Sequence, residues 1–285
     1  MTELAEWLSS ELGESRCDCG DAADESDDDE EELIATAAQL EGEERLFYVL
    51  LTSHFDRAHT ANEFYSSLDW KGLLATSTKD VQCVCKAFFH SWHHIGDHRR
   101  YFRCLPRGKK IEYTAEVLKS YKVIVQSEPY GSQARFFEIG GHPEFQVLYG
   151  RMCEIAHFRR RLPRFDHLER LARTHDFYIV PARFFAEDDQ GGPRDGLTYL
   201  LFGKRLRKKR RELTKYLLGK FPAEWNAAVA AKYHVPQDPS LREVMRALEA
   251  WAIEHVRKRL PIRQRNAPGY VFDLESCLCN WQMGK

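Results

Sequence analysis

Hydrophobic residues recur at helical spacing along nearly all of the chain from Glu43 onward, whereas the alternating pattern of a half-buried strand is almost absent. Residues 177–185 are rich in β-branched and aromatic side chains and could form one short strand, although Pro181 argues against a central one. The predicted fold class is therefore all-α, with at most one or two strands. Helices are predicted over residues 46–68, 78–94, 113–126, 143–161, 165–174, about 197–218, 222–233, 239–259 and from about 271.

The first 42 residues differ from the rest, because the stretch DAADESDDDEEE holds too few apolar side chains to build a core. We therefore expect residues 1–42 to be an acidic, largely disordered tail, in which residues 2–12 can form a short amphipathic helix. Residues 43–285 are expected to form one helical body, with a candidate sub-boundary near 127–142.

The net charge of −1 conceals a strong asymmetry between tail and body. Of the 43 acidic and 42 basic residues, 17 and 2 lie within residues 1–45, which leaves 26 acids and 40 bases in the remainder. A basic body favours a polyanionic partner such as DNA, through contacts to phosphate groups. The acidic tail either occupies the same surface as a nucleic-acid mimic or serves only as a solubilising segment.

Cysteine usage and hydropathy indicate an intracellular protein. Six of the eight cysteines lie in three C-x-C pairs, which is not the pattern of a secreted disulfide scaffold. No apolar run approaches the roughly 20 residues that span a membrane, and the acidic N-terminus lacks the features of a signal peptide. We expect reduced thiols and no membrane partner.

A glycine-rich turn, GGPRDG, precedes the predicted helix at about residue 197 and is the first candidate for chemistry. Free N–H groups at a helix start bind phosphate, and nearby carboxylates can accept a proton. The alternative interpretation is that this segment is only a turn. The candidate carboxylates are Asp188 and Asp189, with Asp195 beside them, and the candidate phosphate-binding residues are Gly191, Gly192, Arg194 and Gly196.

The segment KRLRKKRRELTK, residues 204–215, has eight basic residues in twelve positions. On a helix, Leu206 and Leu213 would be buried while a broad cationic face contacts the DNA backbone. The alternatives are a solvated helix face or a sequence that only resembles a nuclear-localisation signal. The candidate contacts are Lys204, Arg205, Arg207, Lys208 and Arg211.

Cysteine and histidine also cluster in the sequence, but with spacings that are not those of a zinc knuckle. Buried packing explains them as well as a structural metal does, so no metal site is predicted. The cluster comprises Cys83, Cys85, His90, His93, His94, His98 and Cys104. The glycine patterns of P-loop and dinucleotide-binding enzymes are absent.

Two segments resemble a known family. DLESCLCNW, residues 273–281, is similar to the C-terminal signature of the α-glutamyl/putrescinyl-thymine pyrophosphorylase-like proteins of phages. GGPRDGLTYLLFGKR, residues 191–205, resembles the same family's glycine-rich segment, and the resemblance extends over roughly residues 165–285. Asn280 stands where the family has an acidic residue.

The resemblance implies a helical fold distantly similar to helix-hairpin-helix DNA glycosylases, and a reaction on modified thymine in DNA. An amino acid or polyamine would displace pyrophosphate from pyrophosphorylated 5-hydroxymethyluracil, with no cofactor. A phage protein of this kind would act in the host cytoplasm. Asp188 or Asp189 would deprotonate the amine, cations would hold the pyrophosphate, and aromatic side chains would support the extruded base. The cations are Arg194, Lys204 and Arg205, and the aromatic candidates are Phe184, Phe185 and Tyr199.

Two other functions stay open at this point. A DNA glycosylase would share the fold and would also need a carboxylate beside a flipped base, but it would leave an abasic site. An inactive DNA-binding accessory protein would retain the basic body without the chemistry. Fold similarity alone cannot choose among the three.

Overall fold

The computed structural model describes residues 24–55, 58–91, 106–174, 179–188, 192–202, 231–236, 240–259 and 270–281. Within these ranges the chain forms twelve α-helices and no strand, so the prediction of an all-α fold is confirmed. The chain divides into two compact units between Ile179 and Val180, which we call the N-terminal and the C-terminal unit. The expected sub-boundary near 127–142 lies earlier, inside the N-terminal unit.

The N-terminal unit is built around one buried helix, α2, which spans Gly42–Phe55 and is buried at every position from Leu46 to Phe55. A helix that is apolar on all sides belongs in a core, and α2 packs against five of its neighbours. Those neighbours and the other helices of the unit are α1 (Asp24–Ala38), α3 (Ala58–Ser67), α4 (Trp70–Ala75), α5 (Val81–Ser91), α6 (Arg107–Gln126), α7 (Gln133–Phe136), α8 (Phe145–Arg151) and α9 (Arg161–Thr174).

Two buried histidines tie α2 to its neighbours through polar contacts. His54 Nε2 lies 3.0 Å from Thr114 Oγ1 of α6, and Ser53 Oγ lies 3.0 Å from His167 Nδ1 of α9. All four side chains are buried. Buried polar atoms need such partners, so these contacts stabilise one particular arrangement of the three helices.

The first turn of α2 also carries two acids that hold other helices. Glu43 accepts the backbone N–H groups of Gln133 and Ala134, at 3.0 and 2.9 Å, at the start of α7. Glu44 accepts the backbone N–H of Trp70 at 2.9 Å, at the start of α4. A carboxylate at a helix N-terminus satisfies unpaired N–H groups and favours the helix dipole.

The other end of α4 is held by a single lysine from α6. Lys122 Nζ donates to the backbone carbonyl oxygens of Leu73, Leu74 and Thr76 at 2.8–2.9 Å. These carbonyls have no partner within their own short helix, and a cation near a helix C-terminus is favourable. The six-residue helix α4 is therefore stabilised at both ends by residues distant in sequence.

The described part of the C-terminal unit consists mainly of three helices and a short 3₁₀ turn. The turn spans Ala186–Asp188, and the helices are α10 (Gly192–Phe202), α11 (Leu241–Arg259) and α12 (Tyr270–Trp281). Helix α10 packs against α12, and α11 packs against both the turn and α10. Of the helices predicted over about 197–218 and 222–233, residues 203–218 and 222–230 lie outside the described ranges, and residues 231–232 are helical.

Three local expectations differ from the structure. The described residues 179–185 form neither strand nor helix. The described ranges contain no strand that could pair with them, and the Glu249 carboxylate accepts the N–H groups of residues 184–186. The helix expected over 143–161 ends at Arg151, followed by a 3₁₀ turn. The helix expected over 165–174 begins earlier, at Arg161, because Pro163 lies in its first turn, where a missing N–H costs nothing.

Within the expected acidic tail, the described segment Asp24–Ala38 is helical. Leu33 and Ala37 are buried, and the Asn62 side-chain amide donates to Glu32 at 2.8 Å. These few contacts supply the tertiary support that the acidic stretch lacks by itself. Residues 1–23 lie outside the described ranges.

None of the helices in the described ranges is both long enough and apolar enough to cross a lipid bilayer.

Candidate functional site

The glycine-rich turn does open a helix, as the sequence predicts, and α10 begins at Gly192. Gly192 has φ +40°, in the left-handed region that favours glycine, and the buried Pro193 follows as the next helical residue. Asp188 lies just before this turn, at the end of the 3₁₀ turn. Several other predicted site residues lie outside the described ranges, namely Asp189, Gly191, Lys204, Arg205, Arg207, Lys208 and Arg211.

Asp188 lies in a segment that contacts helix α11. Three side chains of α11, spaced four and three residues apart, make these contacts, namely Arg242, Arg246 and Glu249. We call these three residues the α11 ladder. Arg242 Nη2 lies 2.5 Å from Asp188 Oδ1, and Arg246 Nε lies 3.0 Å from Glu187 Oε1. Residues at this spacing share one face of a helix, so the ladder runs along residues 184–188.

Glu249 forms the buried end of the ladder and is 1% exposed. Its carboxylate accepts the backbone N–H groups of Phe184, Phe185 and Ala186 at 2.5, 3.1 and 2.9 Å. These bonds hold Phe185 at φ 57°, an uncommon conformation for a residue with a side chain. Burial raises the pKa of Glu249 to about 7, although Arg183 nearby opposes the shift.

Arg183 and Glu187 complete the buried charge network. The Arg183 guanidinium pairs with the Glu187 carboxylate, lies 3.6 Å from Glu249 Oε1 through its Nε, and stands 4.9 Å from the centre of the Phe185 ring. The Glu187 side chain is only 2% exposed, whereas that of Asp188 is 19% exposed. Of the three carboxylates described in this network, that of Asp188 is the most exposed.

The first turn of α10 carries a second pair of opposite charges. Arg194 Nη2 lies 3.6 Å from Asp195 Oδ1, and both side chains are partly exposed. A carboxylate in the first turn is favoured by the helix dipole, so Asp195 balances part of the positive charge at this helix start. Arg194 nevertheless lies at the end of the helix where a phosphate group would bind.

Gly196 has a packing role in the structure. A Cβ atom at this position would lie 2.3 Å from the backbone oxygen of Leu278 in α12. Only glycine therefore permits the close approach of α10 and α12. The described part of the first segment that carries the family resemblance, residues 192–202, forms α10, and the second segment, residues 273–281, lies in α12, so these parts pack against each other.

Two of the aromatic residues expected to support an extruded base are core residues. Phe184 is fully buried and Phe185 is 8% exposed, so neither ring offers a free face for stacking. That expectation was wrong for both, because the N–H bonds to Glu249 draw this segment into the unit. The side chain of Tyr199 lies outside the described part.

Sequence reasoning missed most of the residues that position Asp188. Arg183, Glu187 and the α11 ladder carry no motif. One signal was available, since Glu249 interrupts the apolar stripe of α11 between Leu248 and Ala252. An acid at a buried helical position usually has a specific partner.

The cysteine and histidine cluster is only partly described. Cys85 is buried, which raises the pKa of its thiol to about 12 and keeps it neutral, whereas Cys83 is exposed. Among the described residues, no group of three or more metal-ligating side chains comes together. His93, His94, His98 and Cys104 lie outside those ranges.

Comparison with known proteins adds one finding. A family model described as amino acid:DNA transferase matches residues 29–284. This match covers most of the chain and includes both segments that the close approach of α10 and α12 brings together. No curated protein and no solved structure matches the chain significantly.

Proposed function

The chain belongs to the amino acid:DNA transferase family, and from that premise we propose that it joins an amine to a modified thymine in DNA. The proposed acceptor is pyrophosphorylated 5-hydroxymethyluracil, and the proposed donor is an amino acid or a polyamine. The observation that carries the proposal is the family match over residues 29–284. The fixed and accessible carboxylate of Asp188 supports it.

The proposed reaction is a substitution at the methylene carbon attached to the base. A carbon–nitrogen bond forms, the carbon–oxygen bond to pyrophosphate breaks, and pyrophosphate leaves with the bonding electron pair. The amine must lose a proton, and we assign Asp188 as its acceptor, with Asp189 as the alternative. Arg242 orients the Asp188 carboxylate, and Glu249 holds the backbone that carries it.

The leaving pyrophosphate gains negative charge as the bond breaks, so cations near it lower the barrier. We propose Arg194, Lys204 and Arg205 for this role, together with the N–H groups of Gly191 and Gly192 at the start of α10. Gly196, proposed with them from sequence, is more directly explained by its packing. The further basic residues Arg207, Lys208 and Arg211 are proposed to contact the DNA backbone.

Nucleoside mass spectrometry tests the proposal. DNA that contains pyrophosphorylated 5-hydroxymethyluracil is incubated with the protein and a mixture of amino acids and polyamines. We expect a new thymidine adduct together with free pyrophosphate. Loss of the base would instead indicate a glycosylase, and unchanged DNA that still binds the protein would indicate an accessory binder.

The Asp188→Asn variant tests the residue assignment. We expect a loss of adduct of about 100-fold or more, the usual effect of removing a positioned proton acceptor. Glu63→Gln, which neutralises an exposed carboxylate on α3, is the matched control and should leave the rate unchanged. Full turnover by Asp188→Asn would move the assignment to Asp189.

A further inference from the structure

The segment between the 3₁₀ turn Met152–Glu154 and helix α9 is irregular but firmly held. Ile155 is fully buried and Phe158 is 2% exposed, so two of its side chains are anchored in the N-terminal core. The backbone N–H of Ala156, between them, donates to Ser120 Oγ of α6 at 2.9 Å. A loop with buried anchors and satisfied backbone groups keeps one conformation.

His157 adds a third attachment to α6. Its ring stacks on that of Tyr113, with ring centres 3.6 Å apart, and its Nε2 lies 2.5 Å from Glu116 Oε2. The residue has φ 66°, an uncommon conformation for a residue with a side chain. The Glu116 carboxylate of α6 is therefore paired with the His157 ring.

A buried arginine braces the segment from within. Arg164, 5% exposed, donates to the backbone oxygens of Arg159, Arg160 and Tyr149, each at 3.2 Å. Its guanidinium also lies 3.7 Å from the centre of the Tyr149 ring. One guanidinium thus ties together two consecutive carbonyls of the loop and the end of α8, which fixes the backbone of residues 159–160.

The two residues held in this way are exposed arginines. In the part of the chain that the structure describes, neither Arg159 nor Arg160 forms an ion pair. The next arginine, Arg161, is buried and lies 5.1 Å from the centre of the Phe165 ring. Of these three consecutive arginines, one is therefore buried, and the fixed backbone presents the other two to solvent.

We propose that Arg159 and Arg160 form a contact surface for the phosphate backbone of DNA in the N-terminal unit. A guanidinium forms paired hydrogen bonds with phosphate oxygens, and a fixed backbone lowers the entropy lost on binding. The basic segment 204–215, for which DNA contact is predicted from sequence, is a different part of the chain. The inference rests on the proposed function in that it takes DNA as the substrate.

The experiment measures how the affinity for an unmodified DNA duplex falls with salt concentration. Each phosphate contact contributes about 0.9 to the slope of log affinity against log salt. Replacing Arg159 and Arg160 by alanine should reduce that slope by about 1.8. Replacing both by lysine should retain most of the slope, because charge is preserved. Replacing Lys71 and Lys79, two exposed lysines of the same unit, by alanine should leave the slope unchanged.

Three outcomes would overturn the proposal. The first is an unchanged slope when Arg159 and Arg160 are replaced by alanine in a folded variant. The second is an equal reduction of the slope when Lys71 and Lys79 are replaced by alanine. The third is a wild-type chain that does not bind the duplex. Failure of the proposed chemistry would be a separate result. If the protein binds DNA with the expected change of slope but forms no adduct, the proposed reaction is wrong and the proposed contact surface still stands.

Discussion

Replacing Gly196 by alanine adds one methyl group at the point where α10 and α12 come closest. The new Cβ would lie 2.3 Å from the Leu278 backbone oxygen and 2.9 Å from its carbonyl carbon. These are backbone atoms of a helix, so no side-chain rotation can relieve the overlap. The two helices must separate, and the contacts around the crossing loosen with them.

The size of the effect follows from two opposing contributions. Overpacking a tight core usually costs about 1–3 kcal/mol, and an overlap with backbone places Gly196→Ala near the upper end. Alanine is the better helix former by about 1 kcal/mol, which offsets part of that cost. We expect the free energy of unfolding to fall by about 2 kcal/mol.

Urea unfolding followed by circular dichroism measures this change. Gly150→Ala is the matched control, since Gly150 also lies in a helix, α8, but a Cβ there meets no atom within 4 Å. That variant should be neutral or stabilised by up to about 1 kcal/mol. If Gly196→Ala were as stable as the control, the close approach of α10 and α12 would not be the reason for glycine.

Three further predictions concern charged residues. The pKa of Glu249 is raised from 4.5 to about 7, so its contribution to stability is complete below about pH 4.5 and is lost as pH rises through 7. The free energy of unfolding in urea should therefore fall between pH 5 and pH 8, by about 2–3 kcal/mol more in wild type than in Glu249→Gln. An equal pH dependence in the two proteins would refute this. Asp188→Asn should lose turnover but less than about 1 kcal/mol of stability, because the side chain of its partner Arg242 is 52% exposed. A large loss of stability would contradict the assignment. Lys122→Met should lower the free energy of unfolding by about 2–3 kcal/mol, because three carbonyls at the end of α4 lose their cation. Lys119→Met, on the same helix as Lys122, should change stability little. Equal effects of the two substitutions would contradict this interpretation.

Local features of the sequence determined the fold class, most helix positions and the family. Helical spacing of apolar residues is a local property, so both ends of α11 and the start of α12 were predicted within a few residues of their observed positions. The start of α10 was also readable, because the turn residues Gly192 and Pro193 act on their own backbone. Two short segments were enough to carry the resemblance, which the family match extends to residues 29–284.

Tertiary structure alone decided which side chains are buried and which partners they meet. The run of arginines at residues 159–161 shows this, since identical side chains are exposed at two positions and buried at the third. Gly196 was expected to bind phosphate from its place in a glycine-rich turn, but its closest neighbour lies 82 positions along the chain, at Leu278. Glu249 likewise meets backbone groups more than 60 residues away. Burial and long-range hydrogen bonds arise only when distant segments pack together, so local patterns could nominate Asp188 but could not identify what holds it in place.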